Sequence, residues 1–295
     1  MTAITAAGVY DITAEQYHAD PVPGGSLSST GARRLLPPSC PALFRHEQLH
    51  PQPHRPVFEF GHAAHKMVLG DGPDLAVVDA ADWRGRDAQQ QRAEIRERGA
   101  VPLLRHEHEQ VLAMAEAIRA HPIAGRLFAP ERGTPEQTLV WQDPVTGVWC
   151  RARPDWTPHA GSGRLIVADY KTTQDASPSA LPKTVYQRGY HQQAAWYLDG
   201  VHELGLATDA AFVFVFQEKS APYLVTVTEL SADALRWGDV LNAKARDTYR
   251  RCVESGRWPG YSESVELTPL PVWAERAYED AREAGDYDLK GHQPA

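Results

Sequence analysis

The chain has 295 residues, 42% of them hydrophobic, which is enough to bury the core of one large domain. Its formal charge of −8 (30 Lys and Arg against 38 Asp and Glu) argues against a generally basic, nucleic-acid-coating surface. No apolar run approaches the roughly 20 residues that span a bilayer, and the first residues lack the basic flank of a signal peptide, so a cytoplasmic protein without a membrane partner is expected.

Taken in chain order, residues 1–27 read as an irregular arm with a short helix near 13–18, followed by the turn-rich Pro21-Val-Pro-Gly-Gly. Ser28 or Ser29 is placed to cap a helix that runs to Leu36 and stops at Pro37-Pro38. The Pro- and His-rich stretch 37–56 reads as a loop, and Cys40, Cys150 and Cys252 are too scattered for a disulfide framework or a zinc ribbon. Phe58, His62, His65 and Leu69 recur at helical spacing up to Gly70-Asp-Gly-Pro73. Residues 71–102 are mixed and charged, with 82–86 as an exposed loop.

Leu104, Val111, Leu112, Ala115 and Ile118 mark an amphipathic helix ending before Pro122. Residues 138–142 and 148–153 flank Asp143-Pro-Val-Thr-Gly147 as a hairpin, and 165–171 is the next strand. A helix follows over 185–204. The run 211–217, apolar on both faces, predicts a central buried strand with 223–230 as its partner. Ser231 is placed to cap a long helix to about Glu254, and a shorter helix around 271–284 precedes a polar tail.

The chemistry concentrates near Arg153-Pro154-Asp155 and the strand ending in Asp169-Tyr170-Lys171. Alternation along a strand puts Asp169 and Lys171 on one face. With Asp155 nearby, the two carboxylates and the backbone carbonyl of Tyr170 offer the oxygen ligands that Mg²⁺ prefers, while Lys171 orients an attacking water or steadies charge on a phosphate. Taken alone, the triplet is weak evidence, and an ordinary strand-end ion pair of Asp169 with Lys171 is the better explanation of it. Residues 145–192 carry six Lys/Arg against three acids, local basicity compatible with DNA. A zinc pair of His62 and His65 is rejected, because the HExxH glutamate is missing.

The order of several motifs extends this. Phe60-Gly61-His62-Ala63-Ala64-His65 resembles the Phe-Gly-x-x-x-His segment of RecE-type and RecB-type nucleases. Glu136, the Trp141–Gly147 hairpin, Arg153-Pro154-Asp155, Asp169-Tyr170-Lys171 and a Gln193-x-x-x-Tyr197 motif follow in that family's order, so the resemblance spans roughly residues 17–230. It is to the PD-(D/E)xK superfamily, and within it to the catalytic domain of exodeoxyribonuclease VIII, a RecE-type exonuclease. It implies an α/β restriction-endonuclease-like core over 28–260, with a mixed central sheet built from 138–153, 165–171 and 211–230 and flanked by helices. Residues 1–27 would be an N-terminal arm, and 261–295 a C-terminal helix and polar tail.

By the same resemblance His65, Asp155 and Asp169 bind the metal, with Glu136 as a further acid. Lys171 is the catalytic lysine, and Gln193 and Tyr197 act one helical turn apart, with Tyr190 on their face toward DNA. Arg153, Arg84 and Arg86 are further candidates for DNA contact, and Arg33 and Arg34 for phosphate. The implied activity is a Mg²⁺-dependent phage-type hydrolase, with Mn²⁺ as a substitute. It would be a 5′-to-3′ exonuclease that resects double-stranded DNA ends for recombination, with a single-strand annealing protein as partner and a ring-shaped homo-oligomer as assembly. The alternatives are a structure-specific or nicking endonuclease and a non-catalytic DNA-binding module.

Overall fold

A computed structural model describes residues 3–50, 59–159 and 163–286. In chain order the elements are β1 (Gly8–Tyr10), α1 (Ala14–His18), β2 (Leu27–Ser28), α2 (Ser29–Arg34), α3 (Pro41–Leu49), α4 (Glu59–Leu69), β3 (Leu75–Val78), α5 (Arg86–Glu97), β4 (Val101–Leu104), α6 (Arg105–Ala120) and α7 (Ala124–Leu127). They continue as β5 (Gly133–Pro135), β6 (Thr138–Gln142), β7 (Trp149–Ala152), β8 (Trp156–Pro158), β9 (Leu165–Thr173), α8 (Leu181–Arg188), α9 (Tyr190–Glu203), β10 (Ala210–Glu218), β11 (Val225–Glu229), α10 (Ala232–Ser255) and α11 (Val272–Glu283). The chain divides into a unit of residues 1–258 and a smaller one of 259–295 that contains α11. Among the described residues no helix is long and apolar enough to cross a membrane.

The larger unit is built on a mixed sheet of order β11-β10-β9-β8-β5. β9 and β10 are parallel and joined through α8 and α9, a crossover that parallel strands require, while β11 and β8 run antiparallel to their neighbours. Strand β10 separates two cores by alternation. Phe212, Phe214 and Phe216 enter the core shared with Trp196 and Tyr197 of α9 and with Trp141 of β6. Val213 and Val215 enter the core shared with Val111, Met114 and Ile118 of α6. All five are buried, and burying each such side chain is worth about 1.5–3 kcal/mol.

Three features differ from the expected pattern. The 138–153 hairpin forms as β6 and β7 but belongs to a separate sheet, β1-β6-β7-β2, across α9 from the central one. Residues 41–49 form α3, with Pro41 in the first turn where its missing N–H costs nothing, so the stretch expected as a loop is partly helical. Residues 51–58, including Phe58, lie outside the described residues, as does the tail from 287. The single helix expected over 185–204 is two: Gly189, at φ +66°, ends α8 in a left-handed cap and redirects the chain into α9.

Candidate active site

The site lies where β8 and β9 part. Trp156 pairs with Ala168, and β9 then runs on without a partner on that side, so the N–H of Tyr170 would lack an acceptor. Asp155, just ahead of β8, supplies one: its Oδ2 accepts from Tyr170 N at 2.7 Å. Asp155 is thus held against the strand that carries Asp169 and Lys171. The Tyr170 ring points to the opposite face, where its hydroxyl donates to Gln217 Oε1 at 2.6 Å and Gln217 Nε2 donates to Met114 O at 2.9 Å.

Two more groups reach Asp155 from other elements. His65, on the face of α4 beside the Tyr170 ring, places Nε2 2.8 Å from Asp155 Oδ2 and Nδ1 3.7 Å from Glu136 Oε1. Glu136 sits between β5 and β6, strands of different sheets, with φ +54°, a conformation uncommon for a residue with a side chain. Its N–H donates to Asp155 O at 3.2 Å, which fixes that kink beside the site. Unusual backbone of this kind concentrates at functional positions.

Asp169 is fully buried and ion-paired through Oδ2 with the Lys171 ammonium, while its Oδ1 accepts from Gln193 Nε2 at 2.8 Å. One turn along α9, Tyr197 donates its hydroxyl to Arg153 O at 3.2 Å. A single helix therefore braces Asp169 and also the segment leading into Asp155. Tyr190, at the start of α9, packs at a tilt against Phe214 and Phe216, with ring centroids at 5.2 and 5.8 Å, and lies under the Lys171 ammonium at 5.4 Å.

Crowding shifts the titrations. Burial and the neighbouring Asp155 carboxylate raise Glu136 to about 7, against the pull of His65 and Arg153. Burial and Asp155 likewise raise Asp169 to about 6, against the pull of Lys171. Burial disfavours the His65 imidazolium, yet Asp155 and Glu136 outweigh it and raise the imidazole to about 9. Burial works against ionised Asp155 too, but His65 and Lys171 prevail and hold its carboxyl below the ordinary range. Three acids packed this closely repel one another, and a proton on His65 partly relieves the repulsion.

A divalent cation would relieve it more fully, and the donor set suits one. One ligand atom each from His65, Glu136 and Asp155 lie within 4.8 Å of one another. Carboxylate oxygens suit magnesium, and a set that adds an imidazole also suits manganese. Asp169 is not a member of that triple but adjoins it through Asp155 and Lys171. Neutral imidazole is the metal-binding form, so His65 would have to give up its proton to hold an ion.

The structure thus brings together His65, Glu136, Asp155, Asp169, Lys171, Gln193, Tyr197 and Tyr190. Arg153, expected against DNA, instead turns inward: its buried guanidinium donates to Glu136 Oε2 at 2.7 Å, Ile12 O at 2.7 Å and Thr138 Oγ1 at 3.0 Å. It holds Glu136 in place, with Nε and Nη1 committed to protein acceptors. Arg84 and Arg86 make no contact with the cluster; Arg84 is exposed beside Asp82, and Arg86 begins α5. Two supports were missed from the sequence. Gln217 ends an apolar strand, and a polar residue in such a run is the signal that flags a buried partner. Glu59, clamped by Arg92 at 2.9 Å and Arg96 at 2.6 Å, anchors the start of the helix that carries His65; nothing in its local pattern sets it apart from a solvent-exposed helix acid.

Comparison with known proteins bears on the family and the fold. Residues 39–271 match the model of a family described as "PDDEXK-like domain of unknown function (DUF3799)", and the chain belongs to that family. A crystal structure from Eubacterium rectale, described as a "Putative exonuclease", matches with a TM-score of 0.58 at 12% identity, covering 91% of this chain and 99% of that one. That likeness shows a shared fold. The structure of SSO0001 matches 65% of this chain and 84% of its own at 16% identity, with a TM-score of 0.30, too low to argue from. No curated protein matches the chain.

Proposed function

We propose that this member of the PDDEXK-like family is a divalent-metal-dependent deoxyribonuclease that degrades linear duplex DNA from its ends. The observation that carries the reading is the half-buried cluster at the parting of β8 and β9, where Asp155, Glu136 and His65 form one ligand set and Asp169, Lys171 and Gln193 adjoin it. His65, Glu136 and Asp155 would hold the ion. When bound, magnesium lowers the pKa of water and screens charge on a phosphodiester.

The chain's own residues supply the rest. Lys171 presents a cation, fixed by Asp169, where charge builds on the phosphate and the leaving oxygen. Gln193 fixes Asp169 in turn, and Tyr197 fixes the backbone ahead of Asp155, so both acids are preorganised by α9. Tyr190 gives the ammonium an aromatic wall on the side away from the acids.

An end-directed, 5′-to-3′ mode that serves recombination, an annealing partner and a ring-shaped assembly belong to the same proposal and rest on the motif resemblance. The exonuclease description of the Eubacterium rectale structure is in keeping with attack at ends. End-labelled linear duplexes with and without a 5′ phosphate, compared with a closed circle in Mg²⁺ or Mn²⁺, test it. Release from linear DNA with the circle intact is expected; nicking of the circle shows an endonuclease, and no hydrolysis of either DNA overturns the reading.

A further inference from the structure

Arg33 and Arg188 sit beside the site, and the chemistry above uses neither. The guanidinium end of Arg33, from α2, lies directly over Gly189: a Cβ at that glycine would come within 2.3 Å of Arg33 Cδ, 3.0 Å of Nε and 3.1 Å of Nη1. The φ of +66° already favours glycine there, and the close approach of Arg33 is a second reason for it. Arg188 and Tyr190 flank that glycine in sequence. Tyr190 lies 5.4 Å beneath the Lys171 ammonium, and Lys171, Asp169, Arg188 and Arg33 all act on its hydroxyl.

Among the described residues neither Arg33 nor Arg188 has a carboxylate partner, whereas the adjacent Arg34 is paired with Glu47 at 2.6 Å. Burial disfavours the Arg33 cation, and Arg34 and Arg188 add repulsion. Arg33 against the glycine and exposed Arg188 just before it are cations available to an anion. The fork of a guanidinium suits phosphate oxygens.

We propose that Arg33 and Arg188 grip a backbone phosphate of the DNA strand that passes Lys171, with Tyr190 spacing this grip from the reacting phosphate. The proposal rests on the deoxyribonuclease reading and adds a strand-holding site to it. It assigns Gly189 a task beyond ending α8, namely seating Arg33 against the start of α9.

Binding of a fluorescein-labelled 20-bp duplex, followed by anisotropy in EDTA across a salt series, tests the grip without cleavage. Removing one arginine that pairs with phosphate lowers the slope of log K against log salt by about 1. Arg188→Gln should lower the slope by about 1 and Arg33→Gln/Arg188→Gln by about 2, with weaker binding at every salt concentration. Arg164→Gln removes the same charge from the opposite end of β9, where Arg164 is paired with Asp209 and Glu229, and should leave the slope unchanged. If the wild type binds and both grip variants keep its slope, the inference is overturned. If the double variant fails to fold, Arg188→Gln, at an exposed residue, decides alone. If the wild type binds no DNA at any salt concentration, the nuclease reading itself falls, an outcome distinct from unchanged slopes.

Discussion

Replacing Lys171 by Met removes the ammonium and keeps most of the stem, which separates an ordinary strand-end ion pair from a catalytic cation. Asp169 is fully buried and the Lys171 side chain is 21% exposed, so the variant leaves a buried carboxylate with Gln193 as its remaining donor. Removing one member of a buried pair costs about 3–5 kcal/mol. Burial and Asp155 already push Asp169 up to about 6, and without the ammonium it takes up a proton near neutrality, which limits the loss to about 3 kcal/mol. A carboxyl raised in the folded state destabilises most when ionised, so the deficit should narrow as the pH falls. Urea denaturation in EDTA measures it.

Nucleotide release from linear duplex in Mg²⁺ should fall by about 10²–10³, the usual effect of losing a charge-stabilising group. The double variant Lys171→Met/Asp169→Asn removes both charges and should recover stability to within about 1 kcal/mol of wild type, because losing a whole pair costs far less than orphaning one member. Its activity should stay low. Activity that returned together with stability would refute a catalytic role and leave only a structural ion pair.

Three other outcomes are expected. Tyr170→Phe leaves Gln217 Oε1 buried without its donor and should cost about 1–3 kcal/mol by urea denaturation, with activity per folded molecule retained. Gln193→Leu removes the Asp169 donor and should lower kcat or metal affinity by about 10–100-fold with a much smaller change in Tm. Burial works against ionised Glu59, yet Arg96 and Arg92 hold its carboxyl below the ordinary 4.5. That contribution is present above pH 4.5 and is lost as the pH falls through the lower folded value. The deficit of Glu59→Gln, about 2 kcal/mol at neutral pH, should therefore shrink in acid when urea midpoints are compared.

Much of the site was legible because strand alternation and helical spacing are local. Asp169 with Lys171, and Gln193 with Tyr197, share faces that their spacing alone specifies. Long-range geometry was not legible. Nothing near Arg153 says that Ile12, 141 residues away, will take one of its donors and turn it inward. The 138–153 hairpin carries the same alternation whichever sheet it joins, so its place in a second sheet depends on α9 packing between the two. Gly189 was visible as a residue but not as a break, since a glycine inside a helical pattern is often tolerated.

The central claim is that Asp155, held between Tyr170 N and His65, belongs to a metal-dependent phosphodiester-cleaving site. Release of acid-soluble nucleotides from linear duplex DNA, by wild type and by folded Asp155→Asn, tests it most directly. Wild type should release nucleotides in Mg²⁺ or Mn²⁺ and stop in EDTA, and the variant should be slower by about 10² or more. Equal release from the folded variant, or release that persists in EDTA, would contradict the claim.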